Sequence, residues 1–238
     1  NMQVHRGVSQ LALAGNVGAQ AKLADYRANI RAAIAEQDKV DESIGALLNT
    51  RQEWASLKAG WQALEARADS LSPTESLKAH TEAIVAAQDF SILTADRANM
   101  TLDPDIETYY LVDAFATKIV RMTEFAGQMR ARSVKALQLQ ALTPDERTEL
   151  AVLSRMIASD LRDVDAGLNK VEGANVPAKA ALGQPRLALA AAFDAYLPKV
   201  KSEVIAAETL EAAPDAMLSV ATAAIDAAYA VNDAARRE

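Results

Sequence analysis

The stretch TPDERTELAVLSRMIASDLRDVDAGLNKV, residues 143–171, decides the fold class. Leu150, Leu153, Ile157, Leu161, Val164, Leu168 and Val171 recur three or four residues apart, which places them on one stripe of an α-helix. Ahead of them stands Thr143-Pro144-Asp145-Glu146, a capping box with proline in the first helical turn. This is a helix with a defined start and a single apolar face.

Working outward, the same grammar repeats. Asp103-Pro104-Asp105 breaks and restarts the chain, with Asp103 placed to cap a helix that runs to about Gln140. Its stripe is Leu111, Phe115, Ile119, Met122, Ala126 and Met129. Ser72-Pro73-Thr74-Glu75 is a second capping box and opens a helix to about Met100. Before it, Trp54, Leu57, Trp61, Leu64 and Leu71 define a helix from Arg51 to Ser70. The first helix reads from Val4 to Leu48, striped by Leu23, Tyr26, Ile30, Ile34, Gln37, Val40, Ile44 and Leu47. Unbroken, at about 1.5 Å per residue, it would exceed 60 Å, with its weak point at Gly15, Asn16 and Gly18. Residues 173–185 hold two Gly and two Pro and read as a loop. Leu189, Phe193, Leu197, Val200 and Val204 then form a helix kinked at Pro198, and a last helix starts near Pro214. Both ends of the sequence read as cut out of longer helices.

About a fifth of the chain is Ala and only 5% is aromatic, so the fold class is all-α. Short connections imply up-down neighbours. Helices of unequal length imply an elongated arrangement of two stacked four-helix bundles sharing their long helices.

The net charge is −7, and the basic residues are scattered instead of gathered on one face, which argues against nucleic acid as a partner. The absence of cysteine excludes disulfides and thiolate chemistry. No run of about 20 apolar residues is present to span a membrane. His5 and His80 are the only histidines, and neither has the Glu-x-x-His spacing of a di-iron bundle nor the spacing of a zinc motif. Phosphate-loop and nucleophile-elbow patterns are missing too. The expectation is a protein that is not an enzyme, with no cofactor and no metal.

Candidate binding residues come from polar groups that interrupt apolar faces. Thr81, Gln88 and Asn99 share a helical face with Leu77, Ile84, Ile92, Ala95 and Leu102. They either line a polar cavity for a small ligand or bond to one another, to backbone or to water. Arg97 lies on the opposite face with Phe90, Leu93 and Met100. Tyr109, Tyr110 and Asp113 fall away from the main stripe of their helix. They offer two aromatic rings with polar tips beside a carboxylate, either to grip a ligand or to seal a contact between bundles. Arg27, Arg31, Arg97 and Arg121 are able to clamp a carboxylate, although most such arginines form surface ion pairs.

These residues also carry a resemblance. His5-Arg6-Gly7 with Leu11, Leu13, Gly15 and Asn16 is similar to the segment after the first membrane helix of many proteobacterial sensor proteins. Trp54 to Trp61, and Leu71 to Ser76 with His80, resemble the stretch that follows. The most specific match is Asn99-Met100-Thr101-Leu102-Asp103-Pro104-Asp105, followed by Thr108-Tyr109-Tyr110-Leu111-Val112-Asp113. It resembles a signature of helical periplasmic sensor domains of the bimodular type, with Val112 where methionine is usual. Ala223 to Ala230 is similar to the approach to their second membrane helix, whereas residues 173–213 add little.

Such domains occur in methyl-accepting chemotaxis receptors, sensor histidine kinases and diguanylate cyclases. The resemblance implies a periplasmic domain of a bacterial inner-membrane protein, held between two membrane helices absent here. It further implies a homodimer in the full receptor and a small-molecule ligand, with organic acids the class that related two-bundle sensors suggest. The competing expectation is a structural or adaptor bundle whose partner is another protein's helix.

Overall fold

The computed structural model describes residues 2–13, 15–102 and 104–237, and of Leu102 the backbone alone. Among these residues the protein is all-α. Its helices are α1 (Met2–Leu13), α2 (Val17–Val40), α3 (Arg51–Arg67), α4 (Pro73–Arg97), α5 (Ile106–Val112), α6 (Ile119–Leu139), α7 (Pro144–Ala174), α8 (Val176–Val200) and α9 (Pro214–Ala235). The chain divides into two compact units, Asn1–Asn99 and Met100–Glu238. Each helix lies wholly within one unit, so none is shared in the way the unequal lengths suggested.

In the first unit the expected rod from Val4 to Leu48 folds back on itself. Gly15 adopts φ +90°, a region open to glycine, and the Asn16 side chain accepts the Ala19 N–H at 2.9 Å to start α2. The reversal sets α2 antiparallel to α1, with Gln20 donating to the Ala12 carbonyl and Arg27 reaching His5. Asp38 of α2 then accepts from the Trp54 indole at 2.7 Å and from Lys58 at 2.6 Å. Arg31 pairs with Glu65, so α3 runs antiparallel to α2. Trp54 stacks obliquely on Phe90 of α4, 5.6 Å between ring centres, and Glu53 pairs with Arg97. Helix α4 closes the up-down circuit against α1.

The second unit is a longer up-down bundle. Helices α5 and α6 are joined by a widened π-turn, Asp113–Lys118, and run as one helix antiparallel to α7. Lys118–Asp163, Arg132–Glu149 and Lys135–Glu146 staple the two together. Residues 173–185 are not a loop. Only Asn175 leaves the helical conformation, and its side chain accepts the Ala178 N–H at 2.9 Å with Pro177 in the first turn of α8. Pro185 and Pro198 both sit inside α8, and a second π-turn, Lys201–Ile205, follows it. The capping boxes at Ser72 and Thr143 form with both reciprocal bonds. The cap expected of Asp103 lies outside the described residues.

The two cores differ in kind. In the second unit the stripes meet in one apolar cluster, including Met122, Ile157, Phe193 and Met217, all fully buried. In the first unit the apolar core is split into Ala12, Ala19 and Leu23 on one side and Ile30, Trp61 and Leu64 on the other. At about 25 cal/mol per Å² of apolar surface buried, the first unit draws far less stabilisation from its core. Both tryptophans, Trp54 and Trp61, lie in the first unit and report on it alone. We therefore expect tryptophan fluorescence to lose its native signal at lower urea than the helical circular dichroism does, with two non-coincident transitions.

Candidate functional site

The gap between the two apolar clusters of the first unit is filled by polar side chains. His5, Arg6 and Ser9 of α1 and Ser76 and His80 of α4 are all buried, none more than 3% exposed. Their positions follow from helical spacing. Ser9 lies one turn from His5, Ser76 lies one turn from His80, and the two pairs face each other.

The geometry fixes the protons. His80 Nδ1 stands 2.7 Å from the Ser76 carbonyl, which can only accept, so Nδ1 carries the hydrogen. His80 Nε2 is then an acceptor, and His5 Nδ1, at 2.9 Å, donates to it. His5 Nε2 in turn accepts from Arg27 Nε of α2 at 3.4 Å. The far end of Arg27 grips Asp69, which follows α3, with Nη2–Oδ1 at 2.5 Å and Nη1–Oδ2 at 3.1 Å. One directed chain thus runs from Asp69 through Arg27, His5 and His80 to Ser76, drawing on α1, α2, α4 and the turn after α3. Arg6 donates to Thr81 at 3.1 Å beside it. Trp61 closes the layer with its ring edge-on to His5 at 5.3 Å.

Both histidines are neutral in this arrangement. Burial, helped by His80 and the Arg27 charge, pushes His5 down to about 4, with Asp69 opposing weakly. Burial also lowers His80, against the pull of its bond to the Ser76 carbonyl. The Arg27 guanidinium holds the Asp69 carboxyl below its ordinary value.

Two cavities are formed by residues of this unit. A pocket of about 300 Å³ opens between α1, α2 and Asp69, with Ser9, Gln20 and Arg27 on its polar side. A shallower groove of about 790 Å³ follows the α3–α4 seam over Leu57, Trp61, Phe90 and Leu93.

The residues singled out from sequence are distributed over both units. Thr81, half-buried, borders the polar layer, accepting from Arg6 and donating to the Leu77 carbonyl at 2.8 Å. Gln88 is half-buried on α4. Arg97 ties α4 to the start of α3, pairing with Glu53 at 2.6 Å and donating to the Asn49 carbonyl. Asn99 is exposed at φ +57°, where it ends α4 in the left-handed conformation that asparagine tolerates. In the second unit, Tyr109 is exposed and meets Tyr110 edge-on at 5.0 Å. Tyr110 packs over Gly167, where a Cβ would stand 3.0 Å from the ring, and bonds Lys170 through its hydroxyl. Asp113 accepts from Thr117 at 2.8 Å. The four arginines all form ion pairs: Arg27 with Asp69, Arg31 with Glu65, Arg97 with Glu53 and Arg121 with the buried Asp160.

The histidine chain was missed because its two rings are 75 residues apart in sequence. The available signal was the mirrored spacing His5-x-x-x-Ser9 and Ser76-x-x-x-His80, two identical polar pairs on apolar faces. Comparison with known protein families, curated proteins and solved structures finds no match to this chain.

The chain of bonds makes the first unit acid-sensitive. The unfolded protein takes up histidine protons near pH 6.5, whereas folded His5 does so only near 4. Stability is complete above pH 6.5 and falls as the pH drops toward 4, by on the order of 3 kcal/mol from His5. Urea midpoints followed by tryptophan fluorescence should decline between pH 7.5 and 5. In the double variant His5→Asn, His80→Asn they should stay level across that window.

Proposed function

We propose that this chain is the extracytoplasmic signal-sensing domain of a bacterial transmembrane receptor, either a sensor histidine kinase or a chemoreceptor. The domain takes a small ligand between its helices. In the full receptor it works as a homodimer in the periplasm, anchored by flanking membrane helices. The resemblance of residues 99–113 to periplasmic helical sensors supports this reading.

The observation that carries it is the polar chain of the first unit, which stands beside a cavity and joins α1, α2, α4 and the turn that follows α3. A signal moves between sites only if the ligand prefers one packing over another. A bundle pinned by a few directional bonds has discrete alternatives, because shifting one helix breaks the line or reconnects it as a whole. Helix α1 carries His5, so a ligand that draws Arg27 changes how firmly the first helix is held. That helix leads toward the membrane in the proposed receptor.

The α3–α4 groove favours a second reading, an adaptor that seats another protein's helix. Its floor is apolar and its rim carries Glu82 and Asp89.

A thermal-shift screen against organic acids, amino acids and inorganic anions separates the two. A ligand at a hundred times its dissociation constant adds about 2.7 kcal/mol, several degrees for a domain of this size. We expect a reproducible rise in the first-unit transition reported by tryptophan. A flat screen, in a domain that folds normally, would favour the adaptor.

A further inference from the structure

We infer that the cavity between α1 and α2 takes a zwitterionic amino acid, its carboxylate on Arg27 and its ammonium on Asp69. This rests on the sensing reading above and names the ligand class for one site.

The cavity carries one fixed charge of each sign. Arg27 is 18% exposed at its side chain and Asp69 69%, so the aspartate is the half of the pair that faces water. The pair is bidentate, so an entering ligand parts it only by matching both of its charges. A simple carboxylate entering the pocket would gain Arg27 but strand Asp69. A simple amine would do the reverse. A zwitterion exchanges one pair for two, and both protein charges stay matched.

Arg27 is also prepared for the task. Its Nε is turned to His5 Nε2, which orients the guanidinium, and Nη1 and Nη2 form the fork that holds Asp69 and that a ligand carboxylate takes over. Beyond the charges and the polar Ser9 and Gln20, the walls are Ala12, Leu13, Leu23, Ala24 and Ala68, which suit a short aliphatic side chain. The volume, about 300 Å³, lies at the small end of the range of roughly 300–1,000 Å³ seen for ligand sites.

Calorimetric titration with the twenty standard amino acids, using propionate and ethylammonium as half-ligands, tests the assignment. A small aliphatic amino acid should bind, and each half-ligand should bind at least tenfold more weakly. Arg27→Gln and Asp69→Asn should each weaken binding at least tenfold. Ala24→Phe, at an exposed position on the pocket wall, should abolish it with helical circular dichroism unchanged. Propionate binding as tightly as any amino acid would overturn the inference. So would amino-acid binding that survives both Asp69→Asn and Ala24→Phe. An organic acid that stabilises the domain while no amino acid binds also removes it, yet leaves the sensing reading standing. Failure of every compound in the thermal screen removes both.

Discussion

A neutral imidazole has one hydrogen to give and one lone pair to receive with, and the first unit uses each of these once. The Ser76 carbonyl sets the direction, because it accepts and cannot donate. His80 must then receive from His5, and His5 from Arg27. Helix α1 has only 12 residues and few large apolar side chains, so its seat depends on this line more than on buried area. A second proton on either ring would set N–H against N–H inside the bundle. Polar links of this kind stabilise less than an apolar core of equal volume, but they tolerate few alternative packings.

The second unit is built the opposite way. Its four apolar faces meet in one cluster, and the carboxylates buried with them are individually bonded, Glu124 by Gln128 at 2.7 Å. Buried Asp160 is answered by Arg121, and Arg147 caps the carbonyls at the end of α8's π-turn. Tyr196 is fully buried, with its hydroxyl donating across the bundle to the Ala126 carbonyl at 3.3 Å. The tyrosine pair at the start of this unit is held on one side by the missing side chain of Gly167 and by Lys170, whose ammonium sits 4.2 Å above the Tyr110 ring.

Features governed by local chemistry were legible in the sequence. The stripe of α7, the stripe of α6 from Ile119 onward and the two capping boxes all rest on spacings within one or two turns, and the structure keeps them. Features governed by partners were not. Gly15 and Asn16 mark a weak point whether the helix bends or reverses, and only the mating of α1 with α2 selects reversal. Pro177 and Pro185 read as breakers, yet one fills a first turn that needs no N–H and the other is carried by the packing of α8. The site was half visible. Thr81 was found through its polarity on an apolar face, whereas His5 and His80 draw their meaning from each other across 75 residues.

The π-turn at Asp113–Lys118 holds one more residue per turn than the helices on either side. Everything before it is therefore out of phase with α6 by about 100°. That offset lets Tyr110 face Gly167 while Ile119 and Met122 face the core. Length at this turn thus acts as an angular setting. A chain one residue shorter there would turn the tyrosines, and the buried Leu111 and Val112 beside them, toward different neighbours.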